Sequence, residues 1–164
     1  MDASLFDDAG RFLLEIPVFG GMEPGPLRRV LEQMDVRRYP SGAAVCAEGE
    51  PGRELFILRE GEAEVRKRTD EGHAVLARLG VGDCFGEMSL IDVQPRSAAV
   101  VTLVPATLYV LSNAGFYALY RQDLAGYAFL VQNLCRELSR RLRKTSATLA
   151  EFELQRRRSD APAG

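Results

Sequence analysis

Apolar residues recur at helical spacing from residue 11 to 34: Phe12, Leu13 and Ile16 share one face, and Leu27, Val30, Leu31 and Met34 another. The stretch 17–21, PVFGG, interrupts them, so two short helices with an irregular joint are expected. From residue 39 to 111 the pattern changes to short runs rich in Val, Leu and Phe, cut by Gly42, Gly49, Gly52, Gly61, Gly72, Gly80, Gly82 and Gly86. Strands this short with turns this frequent predict a small antiparallel roll or barrel. DEGH at 70–73 joins the strand expected over 63–68 to the one over 74–79, which places a hairpin turn there, and Gly49 and Gly61 mark corners.

Beyond the roll, Ser112 is placed to cap a helix of about ten residues, and 123–155 reads as one long helix without proline and with Gly126 as its one glycine. Along it Val131, Cys135, Leu138, Leu142, Thr145, Leu149 and Phe152 are separated by 4, 3, 4, 3, 4 and 3 positions. That is the seam of a two-stranded coiled coil and predicts a homodimer. The offset stripe Leu130, Leu134 and Leu138 would equally suit a helix packed along its own roll.

The 164 residues, 46% hydrophobic and 27% charged, suit one soluble globular domain, and no apolar run approaches the roughly 18–20 residues that cross a bilayer. The N-terminus, MDASLFDDAG, is acidic where a secretory signal is basic. Cys46, Cys84 and Cys135 are odd in number and far apart, as reduced thiols of a cytoplasmic protein would be. His73, the one histidine, is expected at the hairpin turn and cannot build a multi-histidine metal centre, which excludes a metal-dependent enzyme on a similar roll. A net charge of −2 provides no general attraction to nucleic acid or membrane, and the run Arg156, Arg157, Arg158 opens a basic tail, 156–164, expected to be disordered. Residues 1–10 are expected to be an N-terminal arm.

The most informative segment is FGEMSLIDVQPRSAAV, residues 85–100. An arginine among Ala, Val and Pro needs an anion. A turn at Gly86 into a short helix over 87–91 would present unpaired amides to a phosphate, Arg96 would supply a planar two-pronged cation, and Ser97 a hydroxyl donor. Glu87 beside such a site needs a task of its own, such as accepting from a ribose 2′-hydroxyl. On the residues alone, a buried Glu87–Arg96 salt bridge is the alternative.

GEMSLIDVQPRSAAV resembles the phosphate-binding cassette of cyclic-nucleotide-binding domains, with the Glu-to-Arg spacing of kinase regulatory subunits; YPSGAAVCAEGEPGRELFILREGEAEV and LGVGDCFGE extend the resemblance upstream. It covers about 11–152 and implies a mainly β fold with flanking helices. The expected architecture is an eight-stranded, jelly-roll-like β-roll (a double-stranded β-helix) over about 37–111, N-terminal helices, and C-terminal helices over 113–155 that end the domain. It implies a bacterial sensor that binds a cyclic nucleotide without catalysis. Glu87 would take the ribose, Arg96 and Ser97 the cyclic phosphate, and Gly86, Met88 and Ser89 would give backbone contacts, with Val65 and Leu76 at the base. RRLRKTSATL resembles the dimer helix of the family's catabolite-activator branch, which implies that Thr145 and Ser146 read an adenine, with Arg141 one turn earlier as a further contact. Cyclic AMP is therefore the expected ligand. A hydroxyl directly after the cassette arginine, as at Ser97, also suits cyclic GMP, and an interaction module that has lost its ligand is a further alternative. No metal or other cofactor is expected. With residues 153–164 alone following Phe152, no DNA-binding domain and no direct DNA binding are expected, so output would pass to a protein effector.

Overall fold

The structure, a computed structural model, describes residues 3–92 and 94–159, and of residues 3–7, 89, 158 and 159 the backbone alone. Helices α1 (Ala3–Glu15) and α2 (Pro24–Glu32) precede strands β1 (Met34–Tyr39), β2 (Ala44–Cys46), β3 (Glu54–Glu60), β4 (Ala63–Thr69), β5 (Gly72–Leu79) and β6 (Cys84–Phe85). A one-turn helix, α3 (Met88–Ile91), follows, then β7 (Ala99–Thr102), β8 (Ala106–Ser112), α4 (Asn113–Gln122) and the 36-residue α5 (Leu124–Ser159). The strands form two antiparallel sheets, in the orders β1-β8-β3-β6 and β2-β7-β4-β5, which close into the expected eight-stranded roll.

The period-two geometry of a strand explains why ELFILRE has so long an apolar run. Leu55 and Ile57 of β3 face a core shared with the helices, while Phe56 and Leu58 face the interior of the roll with Phe85, Val100 and Leu108. This central strand is buried on both sides, and so is β8, which turns Tyr109 and Leu111 to the helices and Leu108 and Val110 inward. Gly61 turns the corner before β4 at a φ of +93°, where a Cβ would lie 2.8 Å from the Cα of Ala106.

Ser112 caps α4 by accepting from the Gly115 amide at 3.1 Å, and Asp123 opens α5 by accepting from the Gly126 amide at 3.0 Å and from Arg29 Nη1 at 2.6 Å. Further along α5, the buried Asn133 donates through Nδ2 to the carbonyls of Val18 at 3.1 Å and Gly20 at 3.2 Å, which fastens the joint between the first two helices. The two readings of α5 divide along its length. Leu130 and Leu134 are fully buried in the core that the helices share with the outer face of the roll, whereas Leu142, Leu149 and Phe152 are 68%, 62% and 64% exposed. None of the helices among the described residues is long and apolar enough to cross a membrane.

Several local expectations need correction. The first helix begins at Ala3, so most of the expected arm is helical. Met34 belongs to β1, where it pairs with Leu111, and to no helix. His73 lies within β5 opposite Arg68, and the turn is left to Asp70 and Glu71. Arg156, Arg157 and Arg158 continue α5; residues 160–164 lie outside the described residues.

Candidate functional site

The segment from Cys84 to Ala99 leaves the roll at β6, crosses α3 and returns as β7. Gly86 holds a φ of +78° at its start, and a Cβ there would run into Nη1 of Arg96 and lie 2.7 Å from the Glu54 carbonyl. Glycine is thus required for Arg96 to lie across the turn. Arg96 is 8% exposed; its Nη2 donates to the Glu54 carbonyl at 3.0 Å, its Nη1 to that of Gly86 at 3.4 Å, and its guanidinium carbon sits 5.3 Å from the centre of the Phe56 ring. Its backbone is fixed from below, since the Gly49 amide donates to the Arg96 carbonyl at 2.9 Å and the Arg96 amide to the Glu50 carbonyl at 2.8 Å.

Glu87, 6% exposed, precedes α3 and accepts from Arg141 Nη1 of α5 at 3.0 Å. Arg141 is heavily engaged: Nη2 donates to the Cys84 carbonyl at 2.6 Å and Nε to Glu137 Oε1 at 3.0 Å. Burial opposes its charge, yet the carboxylates of Glu87 and Glu137 hold its pKa above the ordinary arginine value. Burial likewise works against Glu137, but hydrogen bonds from Arg140 and Arg141 keep it below the usual carboxylate range. Burial pushes the Cys84 thiol up to about 12, with Arg141 opposing, so this thiol stays protonated. An ion pair between the buried Glu87 and the partly exposed Arg141 therefore joins the segment to the long helix.

A cavity of about 290 Å³ opens between these groups. Gly86, Glu87, Met88, Arg96, Ser97 and Arg141 line it, and Val65 forms part of its apolar wall. These are seven of the expected site residues, brought together from β4, the 84–100 segment and α5. The backbone of Ser89 runs through α3, while its side chain lies outside the described residues. Leu76 does not line the cavity: it is 60% exposed on β5, an edge strand with solvent on both faces. Thr145 and Ser146 do not reach it either in a single chain. They lie on the exposed part of α5, and the Ser146 hydroxyl bonds its own helix at the Leu142 carbonyl, 2.9 Å away. Sequence reasoning missed Cys46 and Phe85 in the wall and Asp92 and Gln94 at the cassette side. For the first two, an alternation of inward positions on β2 and β6 was the available signal. A concave site with an apolar wall, a buried arginine and a buried carboxylate suits a compact ligand carrying an anion and a hydroxyl.

A family model described as cyclic nucleotide-binding domain matches residues 36–123. The chain is 39% identical over 90 residues to a cAMP-dependent protein kinase regulatory subunit of Mycosarcoma maydis, covering 55% of this chain and 17% of that protein. It is 31% identical over 136 residues to the CRP-like cAMP-activated global transcriptional regulator of Mycobacterium tuberculosis, covering 82% of this chain and 59% of that one. The chain thus spans less than two thirds of either relative. Among solved structures, a cyclic nucleotide-binding domain from Methylobacillus flagellatus superposes with a TM-score of 0.80 at 27% identity, covering 91% of this chain and 84% of the other.

Proposed function

Because this chain belongs to the cyclic nucleotide-binding domain family, we propose that its cavity binds cyclic AMP reversibly and that the protein is a sensor, making and breaking no covalent bond. The observation that carries this reading is Arg96, a nearly buried guanidinium lining the same cavity as Glu87 and seated by main-chain carbonyls. A nearly buried guanidinium at the edge of a cavity suits an anionic ligand, which its planar fork can meet with N–H donors.

In this reading Arg96 and Ser97 take the cyclic phosphate, the main chain of Gly86, Met88 and Ser89 adds donors, and Val65 packs against the base. Glu87 accepts from the ribose 2′-hydroxyl while keeping Arg141, which a carboxylate with four acceptor positions allows. Arg141 then couples the occupied site to α5, and ligand favours whichever position of α5 it binds better. The bare seam at Leu142, Leu149 and Phe152 supports a homodimer through this helix, with output to a protein effector. Thr145 and Ser146 contact the adenine once a second copy or a movement of α5 brings them to the cavity, and they are the basis for preferring cyclic AMP over cyclic GMP.

Calorimetric titration of nucleotide-free protein with each nucleotide tests the proposal. Saturable heat with cyclic AMP, and weaker binding of cyclic GMP, is expected; no heat with either removes the reading.

A further inference from the structure

The cassette returns to the roll along β7, whose ladder with β4 ends at the pair Arg66 and Ala99. One residue further on, a side chain continues the connection: Lys67 Nζ donates to the Ser97 carbonyl at 2.7 Å. The same ammonium donates to Glu48 Oε1 at 2.8 Å, and Glu48 Oε2 accepts from the Arg68 amide at 2.8 Å. Glu48 thereby grips two successive residues of β4, and the Arg68 amide and the Lys67 ammonium hold its carboxyl below the usual range. Residues 49–51 beyond it carry the backbone contacts that support Arg96, with Pro51 paired to Pro95. The short stretch bearing Arg96 and Ser97 is therefore tied on one side by the 48–51 loop and on the other by a lysine that loop orients.

We propose that Lys67, oriented by Glu48, is a positioning residue for ligand binding: its bond to the Ser97 carbonyl holds Arg96 and Ser97 at the spacing the cyclic phosphate requires. This rests on the cyclic-nucleotide reading. An exposed ion pair by itself contributes little to stability, and Lys67 is 45% exposed, so its effect falls on the geometry of the strand it holds and leaves the fold intact.

The test uses the full chain and the variants Lys67→Met, Lys67→Arg and Glu48→Gln. In ligand-free protein, hydrogen exchange at the amides of residues 96–99 should quicken about tenfold in Lys67→Met, with an unchanged melting temperature, because local opening no longer breaks the clamp. Cyclic AMP should bind about three- to tenfold more weakly, the net worth of one ordinary hydrogen bond, since Lys67 acts on the site at one remove. The phosphorus-31 resonance of the bound nucleotide should move. Lys67→Arg should recover most of the affinity, and Glu48→Gln should weaken binding in the same direction as Lys67→Met. Wild-type exchange at 96–99 in Lys67→Met, an affinity within twofold of wild type, or a loss of affinity with an unmoved phosphorus resonance overturns the proposal. If the wild-type chain binds no cyclic nucleotide, the functional reading fails, and exchange alone decides the clamp.

Discussion

Replacing Arg96 by leucine separates the two things this side chain does. Structurally, leucine fills much of the volume over Phe56 but leaves the Glu54 carbonyl, now 3.0 Å from Nη2, without its donor. An orphaned acceptor costs about 1–3 kcal/mol; for a domain of this size each kcal/mol lowers the melting temperature by about 2–4 °C, so a fall of about 2–12 °C is expected. The bond to the Gly86 carbonyl is long at 3.4 Å and adds little. Functionally the loss is larger. A phosphodiester would enter a pocket without its counter-charge, and deleting one member of a desolvated pair costs about 3–5 kcal/mol, or roughly 200- to 5,000-fold in affinity. Lysine restores the charge but not the fork, and should fall between wild type and leucine. Calorimetric titration with cyclic AMP, beside a thermal melt followed by circular dichroism, measures both effects. A folded Arg96→Leu that binds within threefold of wild type would make Arg96 a structural residue and sink the site assignment.

Removing Arg141 as Arg141→Leu leaves Glu87 buried without its ion-pair partner; since Arg141 is itself 38% exposed, the cost should be about 1–2 kcal/mol in urea denaturation, and a cost below about 0.5 kcal/mol would mean the latch is idle. Thr145→Ala should lower cyclic-AMP affinity by about 0.5–1.5 kcal/mol and cyclic-GMP affinity less, and equal losses in titration would show that Thr145 does not read the base. Light scattering should give a dimer mass that falls to a monomer's in Leu149→Arg, and a wild-type monomer at tens of micromolar counts against the seam. Asp123→Ala should cost about 1 kcal/mol through the lost cap. The Gly126 amide, and then Arg29, depress the Asp123 pKa, so this contribution is complete above the ordinary carboxylate pKa of about 4 and disappears as pH falls through the native one. Melts of both proteins should converge on acidification, and a constant gap would exclude the carboxylate as the cause.

The parts of this structure that local chemistry decides were legible in the sequence. Glycine spacing and alternation located the strands, Ser112 marked the start of α4, and an arginine isolated among Ala, Val and Pro pointed to the side chain that lies nearly buried beside the cavity. Errors arose where a distant partner decides. Met34 fits the apolar stripe of α2 as well as a strand, and its pairing with Leu111, far along the chain, settles the matter. Leu76 obeys strand alternation, but β5 is an edge without an inner face to choose. Thr145 is a different case: it lies four residues beyond Arg141, about 6 Å further along the axis and outside the cavity of one chain, so its role waits on a second copy or a movement of α5. Glu48 and Lys67 look like ordinary surface charges until the fold sets them 2.8 Å apart.

The bond from Asn133 to the first helical joint gives α5 a pivot. Arg141 lies about 12 Å from that pivot and Ser159 about 39 Å, at 1.5 Å per helical residue. If the helix tilts as a rigid rod, a shift of about 1 Å imposed at Arg141 when Glu87 takes on a second donor becomes about 3 Å at the far end. Such a lever trades force for travel. In the cyclic-nucleotide reading, a subtle rearrangement around a ribose hydroxyl would be delivered at the tip of α5 as a displacement on the scale of a side-chain contact, large enough to make or break packing against whatever that tip touches.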